Sequence, residues 1–145
     1  MDYREYAKDL LTRKKHLVSA YAATRCELES LEQERLECNL QIGTVGENEG
    51  LRTVYEDRLI TVLVALDDCR FRRSVIEREL VKIETGLNGL DEYQRDLLDK
   101  FYVERLPSVV EDLMEKWYKE RSTIYRDKTR ALDSFTRSVY GVLQL

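Results

Sequence analysis

Apolar residues recur at alternating steps of four and three along two long stretches, and this spacing constrains the fold more than any other feature. The stretches cover residues 10–42 and 55–87. Such sustained spacing is typical of helices that pack as a coiled coil. Between them, residues 43–50 (GTVGENEG) contain three glycines, which favour a reversal of the chain. The sequence therefore predicts an all-α protein with a long antiparallel helical hairpin over residues 1–88.

An antiparallel reversal at this loop also predicts which residues face each other. Contacting residues should have position numbers that sum to near 97, which pairs apolar with apolar along nearly the whole length. Arg35 and Arg73 occupy the same stripe, and we expect them to lean outward to acidic partners, since burying an unpaired guanidinium is costly. The expected pairs are Ile42 with Tyr55, Leu31 with Leu66, Leu17 with Leu80, and Leu10 with Leu87.

Residues 89–145 carry the signals of shorter helices. Asn88 and Gly89 should end the hairpin, and Asp91 followed by Gln94 has the spacing of a capping box that starts a third helix. That helix should end just before Pro107, because the residue before a proline is disfavoured in the helical region.

Two further helices are expected after the proline. Ser108 followed by Glu111 has the spacing of a second capping box, and the last helix is predicted to begin at Ser122. Two helices joined by a brief turn are the plan of a helix-turn-helix. Residues 89–145 are therefore predicted to form a three-helix domain of this type.

The start of the last helix carries the residue types that proteins use to read DNA. Arginine suits guanine edges and phosphates, hydroxyl groups suit phosphates or bases, and an acid can accept a hydrogen bond from cytosine. The N-terminal turns of a recognition helix are those that enter the major groove. The candidate DNA-binding residues are Lys119, Arg121, Ser122, Thr123, Arg126, Asp127 and Arg130.

Two segments of this region resemble a known family. LDEYQRDLLDKFYVERL and VVEDLMEKWYKERSTIYRDKTRALDSF are similar to the C-terminal domain of the ArpU/RinA-like phage transcriptional regulators, itself similar to the fourth conserved region of bacterial sigma factors. The resemblance covers roughly the last third of the chain and is strongest over residues 121–132. It places Ser122, Thr123 and Arg126 at recognition-helix positions. It implies an activator of late phage genes that binds promoter DNA and assists RNA polymerase.

The chain departs from that family pattern at two positions. Met114 stands where a small residue usually faces the second helix, and Tyr118 stands where the turn usually has glycine. Both changes are expected to widen the angle between the helices or to lengthen the turn.

The charge of the chain is uneven. Its formal net charge is −4, but residues 117–145 alone carry +3. A basic last helix on an acidic protein indicates that double-stranded DNA is contacted locally, by this helix, and not by the protein surface as a whole.

Several other classes of function lack their sequence signals. A single histidine, His16, and the unspaced Cys26, Cys38 and Cys69 supply no metal site, no cofactor site and no catalytic group, so the chain is not expected to be an enzyme. No apolar run is long enough for a bilayer, and the N-terminus has no signal-peptide core, so a cytoplasmic protein without membrane contact is expected.

A non-enzymatic interaction or scaffold protein is the alternative that the residues leave open. In that case the hairpin binds another helical protein or forms a homo-oligomer, and the C-terminal helices only cap it. A second apolar stripe would favour this alternative. The candidates for such a stripe are Leu11, Val18, Ala22, Leu63 and Val75.

Overall fold

A computed structural model describes all residues from Met1 to Leu145 and confirms an all-α architecture with a long helix pair. No helix combines the length and the apolar character needed to cross a membrane. The elements are α1 (Tyr3–Thr12), α2 (Lys14–Thr44), α3 (Glu49–Asn88), α4 (Glu92–Leu98), a π-helical segment (Asp99–Glu104), α5 (Val109–Trp117) and α6 (Arg121–Tyr140).

The reversal between α2 and α3 is shorter than predicted. Gly43 and Gly50 lie inside the helices, so that only residues 45–48 connect them. Gly46 has a φ of 62°, a conformation that glycine adopts without steric cost. The Asn48 carboxamide oxygen accepts a hydrogen bond from the backbone N–H of Leu51 at 3.1 Å. Asn48 thus caps the first turn of α3, which glycine cannot do because it has no side chain.

Within residues 19–77 the two helices run antiparallel, as predicted. Two ion pairs between the helices show this direction: Arg58–Glu34 at 3.3 Å and Arg72–Glu27 at 2.7 Å. The α3 residue with the higher number pairs with the α2 residue with the lower number. Both pairs have position sums close to the predicted value. Every predicted contact position on α3 is buried or half-buried, and Leu66 is only 1% exposed.

The two arginines of the contact stripe behave differently. Arg35 pairs with Glu32 at 2.8 Å, as expected of a guanidinium that leans toward an acid. Arg73 has no acidic partner, so that part of the prediction is wrong. Its guanidinium lies over the Tyr21 ring, 4.0 Å from the centroid, and donates to the Tyr21 carbonyl oxygen at 3.4 Å. An aromatic face and a carbonyl therefore replace the expected carboxylate.

The division of the chain into compact units differs from the predicted boundary between residues 88 and 89. One unit comprises residues 1–18 and 78–145, and the other comprises residues 19–77. In the first unit, α1 and the end of α3 share a core with α6, and Leu11, a candidate for the second stripe, is fully buried there. This core consists of Ala7, Leu10, Leu11, Ile83, Leu87, Leu90, Leu98, Ala131, Leu132 and Phe135.

Gly86 permits the closest approach between α3 and α6 within this core. A Cβ atom at this position would lie 2.5 Å from Cε2 of Phe135 and 2.7 Å from Cγ2 of Val139. Contacts this short do not occur between carbon atoms in folded proteins, so only glycine lets α6 pack against α3 in this position.

Helix α4 starts as predicted and ends differently. The Asp91 side chain accepts from Gln94 N–H while the Gln94 side chain accepts from Asp91 N–H, which is a complete capping box. Beyond Leu98 the helix widens into the π-helical segment, and it stops at Arg105, whose φ is 53°. The stop before Pro107 is confirmed, whereas the widened turn was not predicted.

Replacing Leu66 with aspartate tests the hairpin core. Leu66→Asp should reduce the free energy of unfolding by about 3 kcal/mol or more, because an unpaired charge would be buried between α2 and α3. Leu40→Asp is the matched control, because Leu40 is 70% exposed. Urea unfolding of both variants measures the difference, and equal stability of the two would contradict the burial of Leu66.

Replacing Gly86 with alanine tests the approach of α6 to α3. Gly86→Ala should destabilise the protein by about 1 to 3 kcal/mol, because the added methyl group forces Phe135 and Val139 to move. Gly43→Ala should stabilise it by about 0.5 kcal/mol, because a Cβ there meets nothing within 4 Å and alanine favours a helix. The midpoint temperature of thermal unfolding should therefore fall for Gly86→Ala and rise for Gly43→Ala. A shift of both variants in the same direction would refute the contact of Gly86 with Phe135 and Val139.

Candidate nucleic-acid interface

Helices α5 and α6 are joined by a connection of three residues. The first of these, Tyr118, is left-handed with φ 54° and ψ 48°, and its backbone N–H donates to the Met114 carbonyl oxygen. Glycine favours this conformation, but tyrosine adopts it here with 93% of its surface exposed. The bulk of Tyr118 meets no neighbour, so the turn stays short without glycine and the expected lengthening does not occur.

A small apolar core holds the two helices against α4. Leu97, Val109, Leu113 and Ile124 are buried in it, and half-buried Met114 packs against them where a smaller residue was expected.

Polar contacts then fix the end of α5. The Trp117 indole N–H donates to Asp96 Oδ2 at 2.7 Å, and the Lys116 ammonium lies 3.0 Å from the same oxygen. Asp96 therefore ties α4 to the residues that lead into the turn.

The Ser108 side chain does not cap α5, contrary to the prediction. Ser108 has φ −95° and ψ 18°, not the extended conformation of a capping residue, and its hydroxyl donates to Asp112 Oδ2 at 2.9 Å. Helix α6 begins one residue earlier than predicted, at Arg121, after Glu120 in an extended conformation. Ser122 is consequently an exposed residue of the first turn, with its hydroxyl free to meet a ligand.

The exposed face of α6, which we call the α6 face, runs from the first turn to the middle of the helix. Its members recur at steps of one and three, so they line one side of the helix. Arg121, Ser122, Arg126 and Arg130 were predicted to lie there, whereas Tyr125 and Thr129 were missed although the same spacing identifies them. The α6 face consists of Arg121, Ser122, Tyr125, Arg126, Thr129 and Arg130.

Two of the three arginines of the α6 face have no acidic partner. Arg121 pairs with Glu111 at 2.7 Å, whereas no carboxylate lies within 4.0 Å of Arg126 or Arg130. The guanidinium of Arg126 donates only to the hydroxyl of half-buried Thr123, at 3.5 Å. Two uncompensated positive charges therefore project from successive turns of α6.

Asp127 lies apart from the exposed face on which it was predicted, whereas Lys119 is exposed in the turn before α6. Asp127 is half-buried and accepts a hydrogen bond from the Tyr93 hydroxyl at 2.7 Å, so it connects α6 to α4 instead of projecting from the exposed face. The Lys119 ammonium lies over the Tyr93 ring, 4.9 Å from its centroid. Burial, and then the hydrogen bond donated to Asp127, raise the pKa of Tyr93.

Lys128 packs against two aromatic rings, one of which belongs to the α6 face. Its ammonium lies 4.8 Å from the centroid of the Phe101 ring and 5.2 Å from that of Tyr125. Burial lowers the pKa of Lys128, as expected for a cation that has lost part of its water. Phe101 also contacts Tyr125, with ring centroids 6.0 Å apart, so both contacts hold Tyr125 at the edge of the α6 face.

Removal of the Tyr93 hydroxyl tests whether Asp127 is structural. Tyr93→Phe should lower the free energy of unfolding by about 1 to 2 kcal/mol, because a half-buried carboxylate loses a short hydrogen bond. Tyr118→Phe is the matched control, since the exposed hydroxyl of Tyr118 has no partner, and its stability should change by less than about 0.5 kcal/mol. Chemical unfolding of both variants measures the effect; an unchanged Tyr93→Phe would show that the contact contributes nothing.

Comparison with known proteins gave no relative to which the chain can be assigned: no protein-family model, no curated protein and no solved structure matched it. The resemblance to the ArpU/RinA-like regulators accordingly stays a prediction from the sequence. The α5–turn–α6 arrangement and the charges of the α6 face are the features that bear on function.

Proposed function

We propose that the chain binds double-stranded DNA through the α6 face, with the first half of α6 in the major groove. The observation that carries this proposal is the pair of exposed guanidinium groups, Arg126 and Arg130, without acidic partners on the second helix of a helix-turn-helix arrangement. Exposed unpaired arginines on one helix face favour a polyanionic partner, because each can exchange water and counterions for phosphate.

The position of each residue on α6 suggests its role. Arg126 lies about one turn into the helix, where a side chain reaches base edges, and a bidentate contact to guanine contributes about 1 to 3 kcal/mol of discrimination. Arg130 lies about 6 Å further along the axis and is assigned to the phosphate backbone.

The remaining members of the α6 face serve the backbone in this proposal. The hydroxyl groups of Ser122 and Thr129 can donate to phosphate oxygens, and the first turn of a helix offers free N–H groups to an anion. Arg121 must first leave Glu111, so its contribution is smaller than that of an unpaired arginine. Half-buried Thr123 is left to orient Arg126 through the hydrogen bond between them.

The biological setting follows from the sequence resemblance alone. Activation of late phage genes together with RNA polymerase is the role we propose on that basis. A protein of net charge −4 should bind DNA only where its local charge is positive, which agrees with a contact restricted to one helix.

A second candidate function is protein interaction through the hairpin. It is favoured by large apolar side chains that are exposed on α3, among them Ile60, Val64 and Phe71. Monomeric proteins seldom expose apolar side chains in such clusters without a partner. This function is compatible with DNA binding, since it uses another part of the chain.

The deciding experiment first selects bound sequences from a random duplex pool and then compares three alanine variants. Arg126→Ala should weaken the selected site about tenfold or more and relax one base position, whereas Arg130→Ala should weaken selected and scrambled duplexes alike. Arg52→Ala is the control, because Arg52 is exposed on α3 and has no ion-pair partner. Binding isotherms provide the measurement.

The outcomes separate the two candidate functions. Unchanged binding of both duplexes by Arg126→Ala would refute the recognition-helix assignment. An empty selection with wild-type protein would refute DNA binding and leave the interaction function.

A further inference from the structure

Tyr125 is the one aromatic side chain of the α6 face. The other members of that face are three arginines, a serine and a threonine. Tyr125 is 41% exposed, and its hydroxyl has no hydrogen-bond partner in the chain. The ring therefore presents carbon surface, with a free hydroxyl at its edge, on a helix face that is otherwise polar.

Tyr125 lies among the residues that are assigned to DNA. Successive residues of an α-helix are about 100° apart and rise about 1.5 Å. Ser122, Tyr125, Arg126 and Thr129 therefore fall within an arc of about 100° and within about 10 Å of helix length. The major groove is about 12 Å wide, so a helix that brings Arg126 to a base edge brings the neighbouring Tyr125 ring into the same groove.

Two contacts hold the Tyr125 ring in position. The centroid of the Phe101 ring, on the π-helical segment, lies 6.0 Å from that of Tyr125, with 47° between the ring planes. The Lys128 ammonium lies 5.2 Å from the Tyr125 centroid. A tyrosine side chain has few rotatable bonds, and these contacts restrict them further. The exposed edge of the ring is thus in place before DNA binds, so little conformational entropy is lost on contact.

An apolar side chain in the major groove finds an apolar partner at thymine. The edges of the other bases present hydrogen-bond donors and acceptors there, whereas thymine also carries a C5-methyl group. Contact between that methyl group and an aromatic ring removes apolar surface of both from water. The guanidinium groups and the serine hydroxyl of the α6 face offer no comparable carbon surface.

We infer that Tyr125 is a specificity-determining residue whose ring contacts the C5-methyl group of a thymine next to the guanine that Arg126 reads. This inference rests on the proposed DNA binding and adds one base to the preferred site. It requires a preference for thymine over uracil at one position, because these two bases pair alike and differ only in that methyl group.

Replacing each thymine of the selected site in turn with deoxyuracil tests the contact. Binding isotherms of the full-length wild-type protein should show one position at which uracil weakens binding about fourfold, the change expected when one buried methyl group is lost. Uracil at the other positions should have no effect. This measurement needs no variant, so it is independent of how any substitution affects folding.

Three variants then assign the methyl contact to Tyr125. Tyr125→Ala should bind the thymine and uracil duplexes equally, because the ring is gone. Tyr125→Phe keeps the ring and should keep the full difference. Tyr118→Ala is the matched control, because it removes a tyrosine that is 93% exposed and lies outside α6, and it should also keep the difference. Thermal melts check that each variant is folded.

The outcomes distinguish this inference from the proposed function. A failed selection with the wild-type protein would refute DNA binding itself. Sequence-specific binding with no sensitivity to uracil, or with the same sensitivity in Tyr125→Ala, would overturn the inference alone. Loss of the difference in folded Tyr125→Phe would also overturn it, because the contact would then belong to the hydroxyl and not to the ring.

Discussion

The contact of Phe135 with Gly86 is the constraint on which the unit of residues 1–18 and 78–145 depends. Phe135 is fully buried, and the ring reaches the α3 backbone because position 86 has no side chain. Ile83 and Leu87 flank this contact on α3, and Leu10 of α1 completes the cluster. The helix with the unpaired arginines is thereby anchored at its far end, while its first turns rest on the separate core around Ile124.

Local spacing predicted the features that depend on neighbours in sequence. The heptad stripes correctly gave the antiparallel hairpin, and the Asp91–Gln94 spacing gave a real capping box, because both are decided within a few turns of helix. Packing of α1 against α6 was not predicted, since no periodicity in residues 1–18 indicates a partner more than a hundred positions away. The capping box expected at Ser108 failed because spacing does not report the backbone angle that a cap requires.

The residues of the candidate site were predicted in part, and the errors in that prediction have one origin. Residue type placed Arg126 and Arg130 on the exposed face correctly, but the same criterion placed Asp127 there, although it binds Tyr93. A polar side chain at the boundary of a helix face can turn to solvent or to a neighbouring helix, and only the neighbour decides which. Tyr125 was missed because tyrosine is not among the residue types that were taken to indicate DNA contact, although it is exposed on the same face.

The π-helical segment sets the angular phase of the two helices that come after it. A π-helix bonds each N–H to the carbonyl five residues back, so its turn holds more residues than an α-helical turn of the same chain. Leu97 and Leu98 are buried just before this segment, and Val103 is the buried residue within it, five positions after Leu98, a spacing that a regular α-helix would not give. Loss of a single residue between Asp99 and Glu104 would let the segment become α-helical. Such a deletion would shift the residues that follow by about 100° about the axis of α4, so that α6 could not keep both its core with α4 and α5 and the contact of Phe135 with Gly86.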